Sequence, residues 1–138
     1  MVDNVDIQKR SAIMRSIKGL NTKPEMIVRR YLFSKGFRYR LHDKFLPGKP
    51  DIKLTKFNTL IFVNGCFWHG HKDCKIYVMP KTNKEFWYSK IENNVERDKK
   101  NMELLKILGW KIIVIWECEL KMKNRELTMK NLVDRILN

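Results

Sequence analysis

Between Phe62 and Cys74 the chain gathers two thiols (Cys66, Cys74), two imidazoles (His69, His71), two large aromatics (Phe67, Trp68) and two glycines (Gly65, Gly70). Cys66, His71 and Cys74 lie close enough to share one ion, and Cys118, at the end of a later apolar run, supplies a fourth ligand. Thiolates and imidazole in such a set suit tetrahedral Zn²⁺, and a closed set of four is structural rather than catalytic. The spacing is not that of a common zinc finger, and free cysteines beside a surface histidine are the alternative. His69 is left over from this set, as a packing residue or as a base. Asp51 follows Pro50, where a carboxylate often serves a turn. Taken together, however, a carboxylate able to hold Mg²⁺ and an imidazole able to deprotonate water are the minimum set for metal-assisted phosphodiester hydrolysis. Phe67, Trp68 and Trp87 are either core residues or side chains that wedge between bases.

The elements that must position these groups are legible in the periodicity. Residues 6–17 carry helical spacing, including Arg10, Met14 and Ile17, with thin apolar content: either an arm that orders on a partner or a plain surface helix. Thr22 is a good N-cap for a helix with Pro24 and Glu25 in its first turn, an inward stripe of Ile27, Val28, Tyr31 and Leu32, and Gly36 as its stop. Phe37 to Leu41 alternates apolar and basic residues, as a half-buried strand does. Ile52 to Leu54 and Thr59 to Val63 are two further strands around a short turn. A turn centred on Phe57 sets Asp51 opposite Val63, beside the mouth of the cysteine–histidine cluster. A long helix runs from Glu85 to Gly109 with Trp87, Ile91, Val95, Met102 and Leu105 on its apolar side. Trp110 to Trp116 is a nearly continuous apolar strand, expected at the centre of the sheet. A last amphipathic helix uses Leu127, Leu132, Ile136 and Leu137. The expected organisation is one α/β domain over residues 1–138, with an arm at 1–20 and a core at 22–138. After the arm the order is helix, three strands, helix, strand, helix, which resembles the restriction-endonuclease-like core.

The charge narrows the partner. With 29 Lys and Arg against 15 Asp and Glu among 138 residues, the formal net charge is +14, and the basic residues are spread along the chain. A folded domain so basic faces a polyanion, most commonly nucleic acid. No isolated basic amphipathic helix favours a membrane surface. No apolar run is long enough to span a bilayer and no signal-peptide core is present, so a cytoplasmic location is expected. In that reducing compartment three cysteines suit ligands better than disulfides.

Several of these segments meet in one pattern. Leu46-Pro47-Gly48-Lys49-Pro50-Asp51, the run from Phe62 to Cys74, Glu85-Phe86-Trp87, Asn94-Val95-Glu96-Arg97-Asp98, and Leu108 through Cys118 resemble, in order, the very-short-patch mismatch-repair (Vsr) endonucleases. The block Gly65-Cys66-Phe67-Trp68-His69 carries most of the specificity. The resemblance implies an enzyme that nicks double-stranded DNA 5′ of the thymine in a T·G mispair left by 5-methylcytosine deamination, with catalytic Mg²⁺ and structural Zn²⁺. It implies Mg²⁺ at the Asp51 carboxylate and the Val63 carbonyl, His69 as general base, Glu25 as a supporting acid, and Zn²⁺ at Cys66, His71, Cys74 and Cys118. Phe67, Trp68 and Trp87 match aromatics that wedge into DNA, and Met14 matches an arm gripping the minor groove. Two features depart: the spacing from His71 to Cys74 is one residue longer than in a familiar member, and Asn64 stands where the family commonly has a catalytic histidine; Asn can hydrogen-bond but not shuttle a proton. A monomer acting on DNA is expected. The alternatives are a restriction-type nuclease acting on paired DNA and a non-catalytic zinc-containing DNA-binding module.

Overall fold

A computed structural model of the chain describes residues 21–72, 74 and 78–138. The proposed arm, with Met14, lies outside the described residues. The first helix, α1 (Lys23–Ser34), forms as the local signals require: the Thr22 hydroxyl accepts the Glu25 N–H, Pro24 sits in the first turn, and Gly36 leaves the helix at φ +89°. There follow β1 (Arg40–Leu41), β2 (Ile52–Leu54), a 3-10 turn (Thr55–Phe57), β3 (Thr59–Asn64), α2 (Lys84–Ile107), β4 (Lys111–Trp116), a second 3-10 turn (Glu117–Leu120) and α3 (Met122–Leu137). The order helix, three strands, helix, strand, helix is the expected one.

The four strands lie in the order β1-β2-β3-β4. β1 and β2, and β2 and β3, are antiparallel, whereas β3 and β4 are parallel, joined by α2 as the crossover. Alternation along β3 and β4 splits the core. Ile61, Val63, Ile113 and Ile115 face a large cluster with Val28 and Leu32 of α1 and Met129, Leu132 and Ile136 of α3. Leu60 and Phe62 face a smaller one with Leu105 of α2, flanked by Met102, Ile112 and Val114. All six residues of β3 are buried, so the rigid strand that carries the central segment is covered on both faces.

Four expectations are corrected. β4 is at a sheet edge among the described strands, and β3 is the interior one; β4 is apolar because it is packed on both faces, not because it is paired on both sides. The β2–β3 pairing is Ile52 with Ile61, one residue away from the register that sets Asp51 opposite Val63, because the turn includes the left-handed Asn58. Only Arg40 and Leu41 of the alternating stretch form strand. In α3 the buried stripe is Met129, Leu132 and Ile136, at steps of three and four, and Leu127 and Leu137 point outward.

Candidate active site and metal centre

Two clusters of ligating side chains flank the C-terminal end of β3. The first is built by the tight loop that leaves the strand. The N–H groups of His69, Gly70 and His71 donate to the carbonyls of Gly65, Phe67 and Cys66 at 3.2, 3.2 and 2.9 Å, winding residues 65–71 into a compact turn. Gly70 sits at φ +60° so close to α2 that a Cβ there would come within 2.8 Å of Val95 Cγ2, so no other residue fits without a shift. From α2 the Asn94 side chain donates to the Trp68 carbonyl at 2.9 Å. The turn brings Cys66, His71 and Cys74 together with Cys118 of the second 3-10 turn, all ligand atoms within 4.8 Å of one another. His71 Nδ1 is 3.5 Å from Cys118 Sγ, and the imidazole stacks on Trp116 at 4.1 Å between ring centroids. The Glu117 carboxylate accepts the Cys66 N–H at 3.3 Å and fixes the same corner. Burial pushes the Cys66 thiol up to about 12, and that of Cys118 upward as well. Three thiols and an imidazole gathered this tightly are a set that a metal would complete.

The second cluster is made of harder ligands. Asp51 stands just before β2 and its Oδ2 accepts the Val63 N–H at 2.8 Å, so the expected approach of Asp51 to Val63 is realised through the side chain although the strand register differs by one. Burial pushes the Asp51 carboxyl up to about 7; the Val63 N–H opposes the shift and the Glu25 carboxylate beside it adds to it. Glu25, in the first turn of α1, is only 1% exposed. Its Oε2 accepts from Arg29 Nη1 at 3.2 Å and meets His42 Nε2 at 2.8 Å, while Oε1 is buried with no hydrogen-bond partner among the described residues. Glu25, His42 and Asp51 offer three ligand atoms within 4.8 Å of one another. Two apposed buried carboxylates, one with an orphaned oxygen and the other pushed upward by burial, form a site that a divalent cation fits.

His69 is held from α2. Its Nδ1 is 2.5 Å from Asp98 Oδ2 on α2, which fixes the ring and leaves Nε2 as the nitrogen available to a proton. Among the described residues no hydrogen bond joins it to Asp51. Asn64, 4% exposed, ends β3 opposite Trp116, next to Val63. Phe67, Trp68 and Trp87 touch edge to face at 5.2 to 5.9 Å, with Phe86 against Trp87 at 5.1 Å. The three are half-buried, and Phe86 is 59% exposed, so the cluster packs on itself while presenting aromatic edges to solvent. Arg38, Arg40, Lys99 and Lys100 are exposed.

Comparison with known proteins settles the family. Residues 2–76 match the family described as DNA mismatch endonuclease Vsr. The DNA mismatch endonuclease Vsr of Escherichia coli K12 is 38% identical over 99% of this chain and 86% of its own. The chain belongs to the Vsr family. Among other Vsr-like relatives, the type II nicking enzyme V.NmeAIP of Neisseria meningitidis serogroup A is 51% identical over 89% of this chain and 87% of its own length. The type II nicking enzyme V.XorIIP of Xanthomonas oryzae pv. oryzae is 41% identical over 97% and 98%. Membership in the Vsr family makes the protein a DNA-cleaving endonuclease, and no described helix is long and apolar enough to cross a membrane.

Two residues that contact these groups escape a reading of the sequence. Asp98 lies on a polar helix face among other charges, and its one local signal is its place in the Asn94 to Asp98 segment. His42 carries no motif; only strand pairing, which sets it against Asp51, brings it to Glu25.

Proposed function

We propose that the protein is a Mg²⁺-dependent endonuclease that nicks double-stranded DNA 5′ of the thymine in T·G mispairs, such as those left by 5-methylcytosine deamination. The observation that carries this reading is the apposition of Asp51 and Glu25, with one buried carboxylate oxygen left unpartnered, at the strand end that also leads to the His69–Asp98 pair. The Asp51 carboxylate and the Val63 carbonyl would hold Mg²⁺. When bound, that ion supplies positive charge that polarises the scissile phosphate and stabilises the leaving oxygen. His69 Nε2 takes the proton of the attacking water while Asp98 holds the ring and stabilises the imidazolium. Glu25 serves as a supporting acid beside the cation, and Asn64 contributes an amide to a phosphate oxygen in place of an imidazole. Phe67, Trp68 and Trp87 enter the base stack beside the mispair, where stacking is already weakened and unstacking costs least. The arm around Met14 follows the minor groove. Cys66, His71, Cys74 and Cys118 hold a structural Zn²⁺ that fixes the aromatic loop. Exposed Arg38, Arg40, Lys99 and Lys100 meet phosphates, so affinity falls with salt at a logarithmic slope of about −0.9 per phosphate neutralised.

The names of the relatives support both a mismatch and a nicking activity, and leave a cut in paired DNA as the second reading. Duplexes with one T·G mispair or fully paired are incubated with Mg²⁺ or a chelator, using wild type and Asp51→Ala. Mg²⁺-dependent nicking of the mispaired strand alone, lost in Asp51→Ala, is expected. Cutting of the paired duplex favours a restriction-type nuclease, and binding without cutting favours a DNA-binding module.

A further inference from the structure

Three side chains converge where the proposed chemistry uses two. Glu25 from α1, His42 from the loop after β1 and Asp51 at the start of β2 each bring a ligand atom within 4.8 Å of the other two. An independent sign of a missing partner is Glu25 Oε1, buried and unpartnered among the described residues although its carboxylate is 1% exposed. An unpaired buried carboxylate oxygen costs free energy that a cation removes. His42 is held there by its backbone: its N–H donates to the Asp51 carbonyl at 3.1 Å, and its φ of +47° is left-handed, a conformation that an ordinary residue leaves unless fixed. The 2.8 Å between His42 Nε2 and Glu25 Oε2 is close to the separation of neighbouring vertices in an octahedron with bonds of about 2.1 Å, roughly 3 Å.

We propose that His42 is a ligand of the catalytic divalent cation, together with Asp51 and Glu25, so that the site holds nitrogen as well as oxygen and prefers Mn²⁺ to Mg²⁺. The inference rests on the reading of this cluster as the cation site of a nuclease. Mg²⁺ is a hard ion served by oxygen, whereas an imidazole adds most to the binding of first-row transition ions. In this arrangement Nδ1 carries the ring proton and the Nε2 lone pair faces the ion. Arg29, which reaches the same Glu25 oxygen, offsets the negative charge of the pair.

The test is pulsed electron paramagnetic resonance of Mn²⁺ added to the purified, reduced protein, with binding constants for Mn²⁺ and Mg²⁺ from calorimetry. Wild type is expected to bind about one Mn²⁺ with the modulation of a directly bonded ¹⁴N. That modulation should be lost in His42→Asn and His42→Gln and kept in His69→Gln. The His42 variants should bind Mn²⁺ about tenfold or more weakly and Mg²⁺ nearly as before. Asn tolerates the left-handed backbone and Gln keeps a donor for Glu25, and a thermal melt identifies whichever variant folds. Modulation that survives both substitutions, or that disappears with His69→Gln instead, overturns the proposal. Mn²⁺ bound without ¹⁴N modulation, alongside normal T·G nicking, rejects His42 as a ligand and leaves the proposed function standing. Absence of any Mn²⁺ or Mg²⁺ binding rejects both.

Discussion

The two ligand clusters at the end of β3 draw on separate stretches of the chain and are opposite in character. Cys66, His71, Cys74 and Cys118 are four groups of one soft kind, drawn together by a loop and a 3-10 turn, with no carboxylate among them. Such a set closes around an ion and leaves no vertex for a substrate. Glu25, His42 and Asp51 are fewer and harder, and one buried oxygen among them has no partner. A buried oxygen without a partner costs free energy that a bound cation would relieve. On the proposed reading the first cluster serves stability and the second chemistry, and substitutions should separate the two.

The largest effect is expected at the open cluster. Asp51→Asn removes the charge that holds the cation, and a loss of several kcal/mol of transition-state stabilisation corresponds to roughly 10³-fold or more in single-turnover nicking. The melting temperature should not fall. A variant that keeps wild-type nicking would move the chemistry away from this cluster.

His69→Ala comes next. Loss of a general base costs about 10²- to 10³-fold, and Asp98→Asn, which leaves the imidazole in place but loosens it, should cost less. Equal losses in the two variants would mean that Asp98 does more than hold the ring. Neither change should alter metal content.

The closed cluster should answer in the opposite sense. Cys118→Ser, or strong chelation of the wild type, removes folding energy carried by the metal. At roughly 4 °C per kcal/mol for a domain of this size, a fall of about 10 °C or more in melting temperature is expected. A melting curve indifferent to chelator would sink the assignment of a structural metal. If nicking by the surviving folded fraction is nearly normal, the division of labour between the clusters is sharpened.

How far this division was visible beforehand depended on distance along the chain. Thr22, Pro24, Glu25 and Gly36 wrote α1 in local signals, and the thiols and His71 lie within one short segment, so both were legible. Cys118 was found because thiols are few. The features that depend on strand pairing were not: the turn at residues 55–58, closed by the left-handed Asn58, sets Leu54 against Thr59 and shifts the β2–β3 register by one, and an apolar β4 cannot announce from its composition that it stands at an edge among the described strands. His42 was invisible for the same reason. It is an isolated histidine at the end of a two-residue strand, and only the β1–β2 pairing, with the Asp51 carbonyl as its anchor, brings its ring to Glu25.

The last effect concerns stability at the open cluster, and its size depends on pH. The Asp51 carboxyl titrates at about 7 in the folded protein against 3.8 as the ordinary value, chiefly because it is buried. Between those values the unfolded chain has lost the proton and the folded chain keeps it. The stability this proton contributes is complete below pH 3.8 and is lost as pH rises through 7. Asn mimics the protonated acid: its oxygen can accept the Val63 N–H, and its amide can donate toward Glu25. In chelated buffer at pH 8, Asp51→Asn should therefore be the more stable protein, by an amount on the order of a few kcal/mol. The gap should narrow toward pH 5, where the wild-type carboxyl is mostly neutral. Because both proteins share every other titrating group, the difference between their melting temperatures across pH isolates Asp51. Addition of Mg²⁺ at pH 8 should then raise the wild type alone and shrink or reverse the gap, since only an ionised Asp51 gives the ion its full attraction. A gap that is constant with pH would mean that Asp51 is ionised in the folded protein throughout the range, and that the cluster is more open to water than its geometry implies.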